Sequence, residues 1–283
     1  MPSRWTRPLS LLVLLLILLA FLYLTYHVQD ILQTWHVLLA IGTALVLWIG
    51  KLVTGRLFGA FIDDRNVVSL SRVQMLSWSA LVLSAFLAAV LWNSHLGSSQ
   101  PIDLIRMDGR LWMLLGISTT SLVASPLILH AKKGLNPDAG DFQRTLEMLP
   151  AAEGSANQGL LFANRTIGQA TWKDLFTGEE TGNAGHLDLS RVQMLFFTLV
   201  SLIVYWVSLR SAFLHAQEAK TFMGAFPEVS EGLLWLIGIS HGGYLAMKAI
   251  PKSRTGDSAA PTPATVDDSS DSSDSSNDQP PVG

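Results

Sequence analysis

The 283-residue chain contains no cysteine. That absence excludes a disulfide scaffold, thiolate zinc sites, thiolate-held iron–sulfur clusters and a cysteine nucleophile. Charge is scarce too. Only 14% of residues are charged, against roughly a quarter in a soluble domain. The mean hydropathy is +0.36, which argues against a soluble single-domain enzyme. Acid is missing from every expected membrane span. This weakens a proton- or sodium-coupled transporter and an intramembrane aspartyl protease. No HExxH, P-loop, GxGxxG or GxSxG motif occurs, so no catalytic, metal or cofactor site and no enzymatic activity is expected. Nothing points to nucleic acid.

What the chain does have is long uncharged runs. Six spans are expected, at roughly Leu9–Tyr26, Val37–Thr54, Val73–Trp92, Leu111–His130, Val192–Leu209 and Leu233–Ile250. Each is near the length that crosses about 30 Å of hydrocarbon. The first run follows Arg4 and Arg7 but ends without an A-x-A pattern. It reads as an uncleaved helix rather than a signal peptide.

With the N-terminus inside, fifteen Lys and Arg fall on the inner side and four on the outer. Both termini are therefore expected in the cytoplasm. Trp35, Trp92, Trp112, Trp206 and Trp235 fall near the proposed outer interface, where an indole is favoured.

Leu70-Ser71-Arg72-Val73-Gln74-Met75-Leu76 recurs unchanged at Leu189–Leu195, 119 residues on. Leu114–Ser118 is matched by Leu236–Ser240. The expectation is an all-α, six-helix transmembrane bundle with a parallel two-helix repeat, spans 3–4 and 5–6, related by an axis along the membrane normal. The divisions expected are an N-terminal hairpin 1–56, a first unit 57–130, a cytoplasmic loop 131–188, a second unit 189–252 and a tail 253–283. The tail holds six Asp and no Lys or Arg from residue 255 on, leaving 19 basic against 16 acidic residues ahead of it. It is Ser-, Asp- and Pro-rich and expected to be disordered.

The heptapeptide has the S-x-x-Q form of a capping box. Ser71 with Gln74, and Ser190 with Gln193, would each start a span. Arg72 and Arg191 do not fit a cap, since a cation in the first turn opposes the helix dipole. They anchor the basic side, or bind an acidic loop or partner. Small residues recur every fourth position as Gly116, Thr120 and Ala124, and again as Gly238, Gly242 and Ala246. Such stripes are expected to let backbones pack closely, within one chain or between two. His241 is the one ionisable group well inside a span. With Ser118 and Ser240 it makes a possible intramembrane polar site, and a hydrogen bond to a neighbouring Ser or Thr is its expected state.

The loop 131–188 is polar. Short amphipathic helices are expected at Asp141–Leu149 and around Trp172–Phe176. About sixty residues is near the lower limit for an independent core, so the loop should lie against the membrane face or another protein.

The L-S-R-V-Q-M-L opening, the G-I-S-x-G-x-Y-L-x-x-K pattern from Gly238 to Lys248, and the tract Trp172–Phe176, Gly178-Glu179-Glu180 and Asp188-Leu189-Ser190 resemble a group of uncharacterised bacterial multi-pass membrane proteins. The resemblance runs from about Leu57 to Lys248. It implies a bacterial inner-membrane setting and brings no catalytic residues. Two functional expectations remain. One is a scaffold or anchor that presents the loop to a cytoplasmic or membrane protein partner, alone or as a homo-oligomer. The other is a small transporter or channel with a path between the repeats.

Overall fold

The computed structural model describes residues 6–26, 29–149, 157–253 and 255–256. These form seven α-helices: α1 (Thr6–Tyr26), α2 (Ile31–Thr54), α3 (Leu70–His95), α4 (Gly109–Lys133), α5 (Ala139–Met148), α6 (Leu189–Ala219) and α7 (Glu231–Ala249). Among the described residues β-structure is limited to isolated bridges, so the fold is all-α. Four helices, α2, α3, α4 and α6, are long and apolar enough to cross a membrane. Among the described residues, four of the six expected spans meet this measure of length and composition. The sixth expected span is helical as α7, but that helix carries Glu231, His241, Lys248 and four glycines, which dilute its apolar character.

The bundle is organised around α3, which packs against α2, α4 and α6, while α7 packs against α4 and α6. The buried surface of α3 is built largely from small residues, Ser84, Ala85, Ala88 and Ala89, between Trp78 and Trp92. Small side chains let neighbouring helices come close where water gives no driving force. Of the apolar window of α3, 44% is buried, against 11% for α2, so α2 stands at the periphery. Trp35 of α2 meets Phe213 of α6 edge-on at 5.2 Å in the core. Leu83, Val123, Leu127, Ile203 and Ile239 point outward and are exposed. An apolar outer shell of this kind is what a bilayer solvates, and water does not.

At one end of the bundle the connections 96–108 and 220–230 are tied together. Buried Asn93 donates to the carbonyls of Pro101 (3.2 Å) and Met223 (3.1 Å) and accepts from the Met223 N–H (2.7 Å). Arg106 and Ala225 form a parallel bridge beside it.

The other end carries the connection between α4 and α6, and it is folded. Asp138 caps α5 by accepting from the N–H groups of Gly140 and Asp141. Two short 3-10 turns, Ile167–Gln169 and Trp172–Leu175, begin with reciprocal boxes, Thr166 with Gln169 and Thr171 with Asp174. Leu160 and Leu161 are fully buried, and Leu160 N–H donates to the last turn of α4 at Lys132. The chain does not lose its order at residue 253 as expected. Ser253 is buried, and Gly256 N–H donates to Asn136. The rest of the expected tail, 257–283, lies outside the described residues.

The capping-box expectation is corrected. Helix α3 starts at Leu70 with Ser69 as N-cap, and α6 starts at Leu189 with Asp188 as N-cap. Ser71 and Ser190 therefore lie inside the first turn, past the position where a hydroxyl accepts from the orphan N–H groups. Gln74 does not reach back. It donates across the bundle to Thr198 Oγ1 of α6, while Gln193 is exposed. The identical heptapeptides bury different sides. Leu70 is 1% exposed and Leu189 is 73% exposed, whereas Arg72 is half-buried and Arg191 is buried.

Candidate functional site: a buried ion network at the basic end

Adjacent glutamates of the 134–188 connection, Glu179 and Glu180, turn inward onto the ends of three helices. Glu179 lies 2.7 Å from Lys248 Nζ of α7, 2.9 Å from Arg65 and 3.5 Å from Arg191 of α6. Glu180 lies 2.6 Å from Lys132 Nζ of α4. Its other oxygen accepts from the N–H groups of Lys252 and Ser253, both at 2.7 Å.

The bases are saturated as well. Lys132 also donates to the carbonyls of Lys248 (2.5 Å) and Ile250 (3.0 Å). A cation there satisfies carbonyls left open where α7 ends. Lys248 donates to Ser125 of α4 and to Tyr244. Arg65 forks onto Asp63, with Nη2 at 2.8 Å, and Arg191 Nε donates to the Leu175 carbonyl.

Four bases face three acids, counting Asp63, and all seven side chains are 12% exposed or less. Charges taken this far from water are tolerated only when paired and fully hydrogen-bonded, and here each has two or more partners. Burial alone would push Glu179 up. The charges of Lys248, Arg65 and Arg191 overcome that and hold its carboxyl well below the usual carboxylate range. Burial opposes the charge of Arg65, and Glu179 with Asp63 more than restore it. The cavity beside the network is only about 20 Å³, on the order of one water. Arg65, Glu179 and Arg191 also border a second cavity of about 240 Å³ under the connection.

The other expected residues are distributed as follows. His241 Nδ1 and Ser121 Oγ share a hydrogen bond of 2.6 Å between α7 and α4, the state expected of that histidine. Ser118 and Ser240 are buried, and neither hydroxyl has a partner among the described residues. Helices α4 and α7 pack closely, but the small-residue stripes are not sealed against each other. They flank an open groove of about 710 Å³ lined by Gly116, Thr120, Gly238, Gly242 and Trp235. A Cβ added to Gly116 or Gly242 would meet nothing within 4 Å. Ala124 is half-buried and Ala246 is exposed. Among the described residues no three His, Asp or Glu converge as a metal would require.

Arg191 meets an acidic loop of its own chain, one of the two roles open to it from sequence. Lys132, Glu179 and Glu180 were not legible as partners. The available signal was a lysine at the end of an expected span and a tandem glutamate in a loop otherwise rich in Gly and Asn.

Searched against family models, curated proteins and solved structures, the chain matches none of them.

Proposed function

We propose that this protein is a non-catalytic integral membrane scaffold whose basic end holds a stiff platform, residues 134–188, toward a protein partner. The observation that carries this is the ion network. A connection joined to three helix ends by Glu179 and Glu180 keeps one shape, as a presenting surface must. The platform and its rim expose Trp172, Phe176, Leu187 and Phe58, a set of apolar and aromatic side chains suited to a partner or to the membrane surface. The fifteen-to-four bias of Lys and Arg supports a cytoplasmic platform in a bacterial inner membrane. In this reading α1 and α7 also cross, giving six spans, and α3–α4 and α6–α7 descend from a duplicated helix pair.

The test is cross-linking and co-purification of the full chain from native membranes. One protein should be recovered with wild type and lost with Leu187→Glu, while Arg210→Gln retains it. Recovery that is identical for all three chains would overturn the scaffold.

A second reading, a small transporter or channel between the repeats, is favoured by one observation. The hydroxyls of Ser118, Ser240 and Tyr205 and the Gln74 Oε1, all in the same bundle, have no partner among the described residues. Solute- or ion-dependent flux in proteoliposomes that changes with Ser118→Ala would select it over the scaffold.

A further inference from the structure

The two identical heptapeptides are served differently by the rest of the chain. At the start of α6, the Asp188 side chain accepts from Ser190 N–H at 3.0 Å, and Glu179 stands beside Arg191 at 3.5 Å. Two internal carboxylates thus answer the helix terminus and its arginine. At the start of α3 the residue that corresponds to Asp188 is Ser69, which makes no side-chain cap. The Arg72 guanidinium has one hydrogen bond, to the Ile62 carbonyl, and no ion pair among the described residues. The first heptapeptide therefore lacks both anions that the second has.

The vacancy opens into a cavity of about 330 Å³ between the start of α3 and the end of α4. Ser69, Ser71 and Arg72 line one side, and His130 and Lys133 the other. Ser71 is 2% exposed, yet its hydroxyl has no partner among the described residues. A donor buried without an acceptor is costly, so a ligand that accepts from it is favoured. The helix terminus adds its own open N–H groups and positive end.

Two carboxylates also line the cavity, and both are already answered. Asp63 is paired with Arg65 and Asp64 with Lys133, at 2.8 and 2.5 Å. That leaves Arg72 as the uncompensated charge, so a ligand bearing a single negative charge balances the wall. The remaining wall is Leu122, Pro126, Leu127 and Leu129 of α4, apolar but for Ser125, whose hydroxyl is taken by Lys248. Leu127 is 68% exposed on the outer shell of the bundle, so the cavity runs from a cationic seat at the helix ends onto the hydrocarbon-facing surface.

We propose that this cavity binds an anionic phospholipid, with the phosphate diester on Ser71, Arg72 and the first N–H groups of α3, and an acyl chain along Leu122 and Leu127. The lipid supplies the anion that Asp188 and Glu179 supply to the other heptapeptide. Basic pockets between membrane helices near the headgroup level are suited to such lipids. The site does not depend on the scaffold reading or on which side of the membrane this end faces.

The test is native mass spectrometry of the full chain in detergent, loaded with phosphatidylglycerol or with phosphatidylcholine of the same acyl chains. Wild type should retain the anionic lipid about tenfold better than the zwitterionic one, the ratio that ~1.4 kcal/mol of charge-assisted bonding gives. Arg72→Gln should remove that preference. Ser69→Asp should remove it as well, because it installs the carboxylate that α6 has. Its thermal unfolding temperature should stay at or above wild type, which separates lost binding from lost folding. Arg110→Gln, at the opposite end, should retain the preference. Equal retention of the two lipids by wild type, or full retention by Ser69→Asp and Arg72→Gln, would overturn the site. Displacement of the lipid by millimolar inorganic phosphate would also overturn it, by showing that the seat reads a free anion.

Discussion

Lys132 Nζ and Glu180 Oε1 stand 2.6 Å apart, with side chains only 5% and 3% exposed. The lysine ends α4, and the glutamate lies in the connection that follows, 48 residues away. Their pairing folds a polar segment back onto the helix that precedes it. Because Lys132 also holds the carbonyls at the end of α7, one ammonium joins α4, α7 and the platform.

Removing one member of this pair leaves the other as a buried uncompensated charge. Glu180→Ala is expected to destabilise the protein by about 3–5 kcal/mol, and Lys132→Met by a similar amount. Lys132→Met with Glu180→Leu should recover part of the loss, since the two charges disappear together while the Lys252 and Ser253 N–H groups and the Lys248 and Ile250 carbonyls stay without these partners. Denaturant unfolding of the four chains in detergent micelles measures this, and additive losses would contradict it.

Glu179 gives the stability an acid limb. Its folded carboxyl titrates below its ordinary value of 4.5, so protons bind the unfolded chain first. The stabilisation is complete above that ordinary value and is lost as pH falls from there toward the folded one. Wild type should therefore weaken steeply below about pH 4.5. Glu179→Gln should be less stable at pH 7 and show a shallower acid decline. Parallel declines in the two chains would show that other groups set the limb.

Gly159 holds the platform to the end of α4. Its φ is +62°, and a Cβ there would lie 2.3 Å from the Lys133 carbonyl oxygen. Backbone atoms cannot yield as a side-chain tip does, and the left-handed conformation adds its own penalty. Gly159→Ala should cost about 2 kcal/mol or more and speed amide exchange at Leu160 and Thr181. Exchange protection there equal to wild type would refute the assignment.

Asn93 plays the corresponding part at the opposite end. Asn93→Ala leaves the Met223 N–H and two carbonyls without their partner, at a cost of about 1–3 kcal/mol. Thermal unfolding should register it as a lower transition temperature, with unchanged helix content by circular dichroism at 25 °C.

The helices were readable because long apolar runs leave few alternatives, and α2, α3, α4 and α6 fall where hydropathy placed them. The His241 hydrogen bond followed from a histidine among serines on a neighbouring span. The start of α3 was misread because the S-x-x-Q spacing fits Ser71 with Gln74, two residues beyond the actual N-cap, Ser69. Contacts that spacing does not reveal, the Ile62–Val68 bridge, the Ser69 N–H bond to Phe61 and the Val68 N–H bond to Asp174, set where the helix begins. The ion network was out of reach because its members, Arg65, Lys132, Glu179 and Lys248, are far apart in the chain and share no spacing rule. The small-residue stripes were visible, but spacing cannot say whether such a stripe meets another helix or opens onto a groove.

Helix α6 runs for 31 residues, about 46 Å at 1.5 Å per residue, while the hydrocarbon slab is about 30 Å thick. The apolar stretch beginning at the platform is used up near Leu209, and Arg210, His215, Gln217 and Glu218 follow on the same unbroken helix. The last ten residues are nevertheless held by the bundle, with Phe213 packed on Trp35, Ala216 buried in the same core and the Asn93 knot beside the helix end. Since one rod runs from Arg191 in the ion network to the end beside Asn93, a load on that end reaches the platform through stiff matter and not through a hinge.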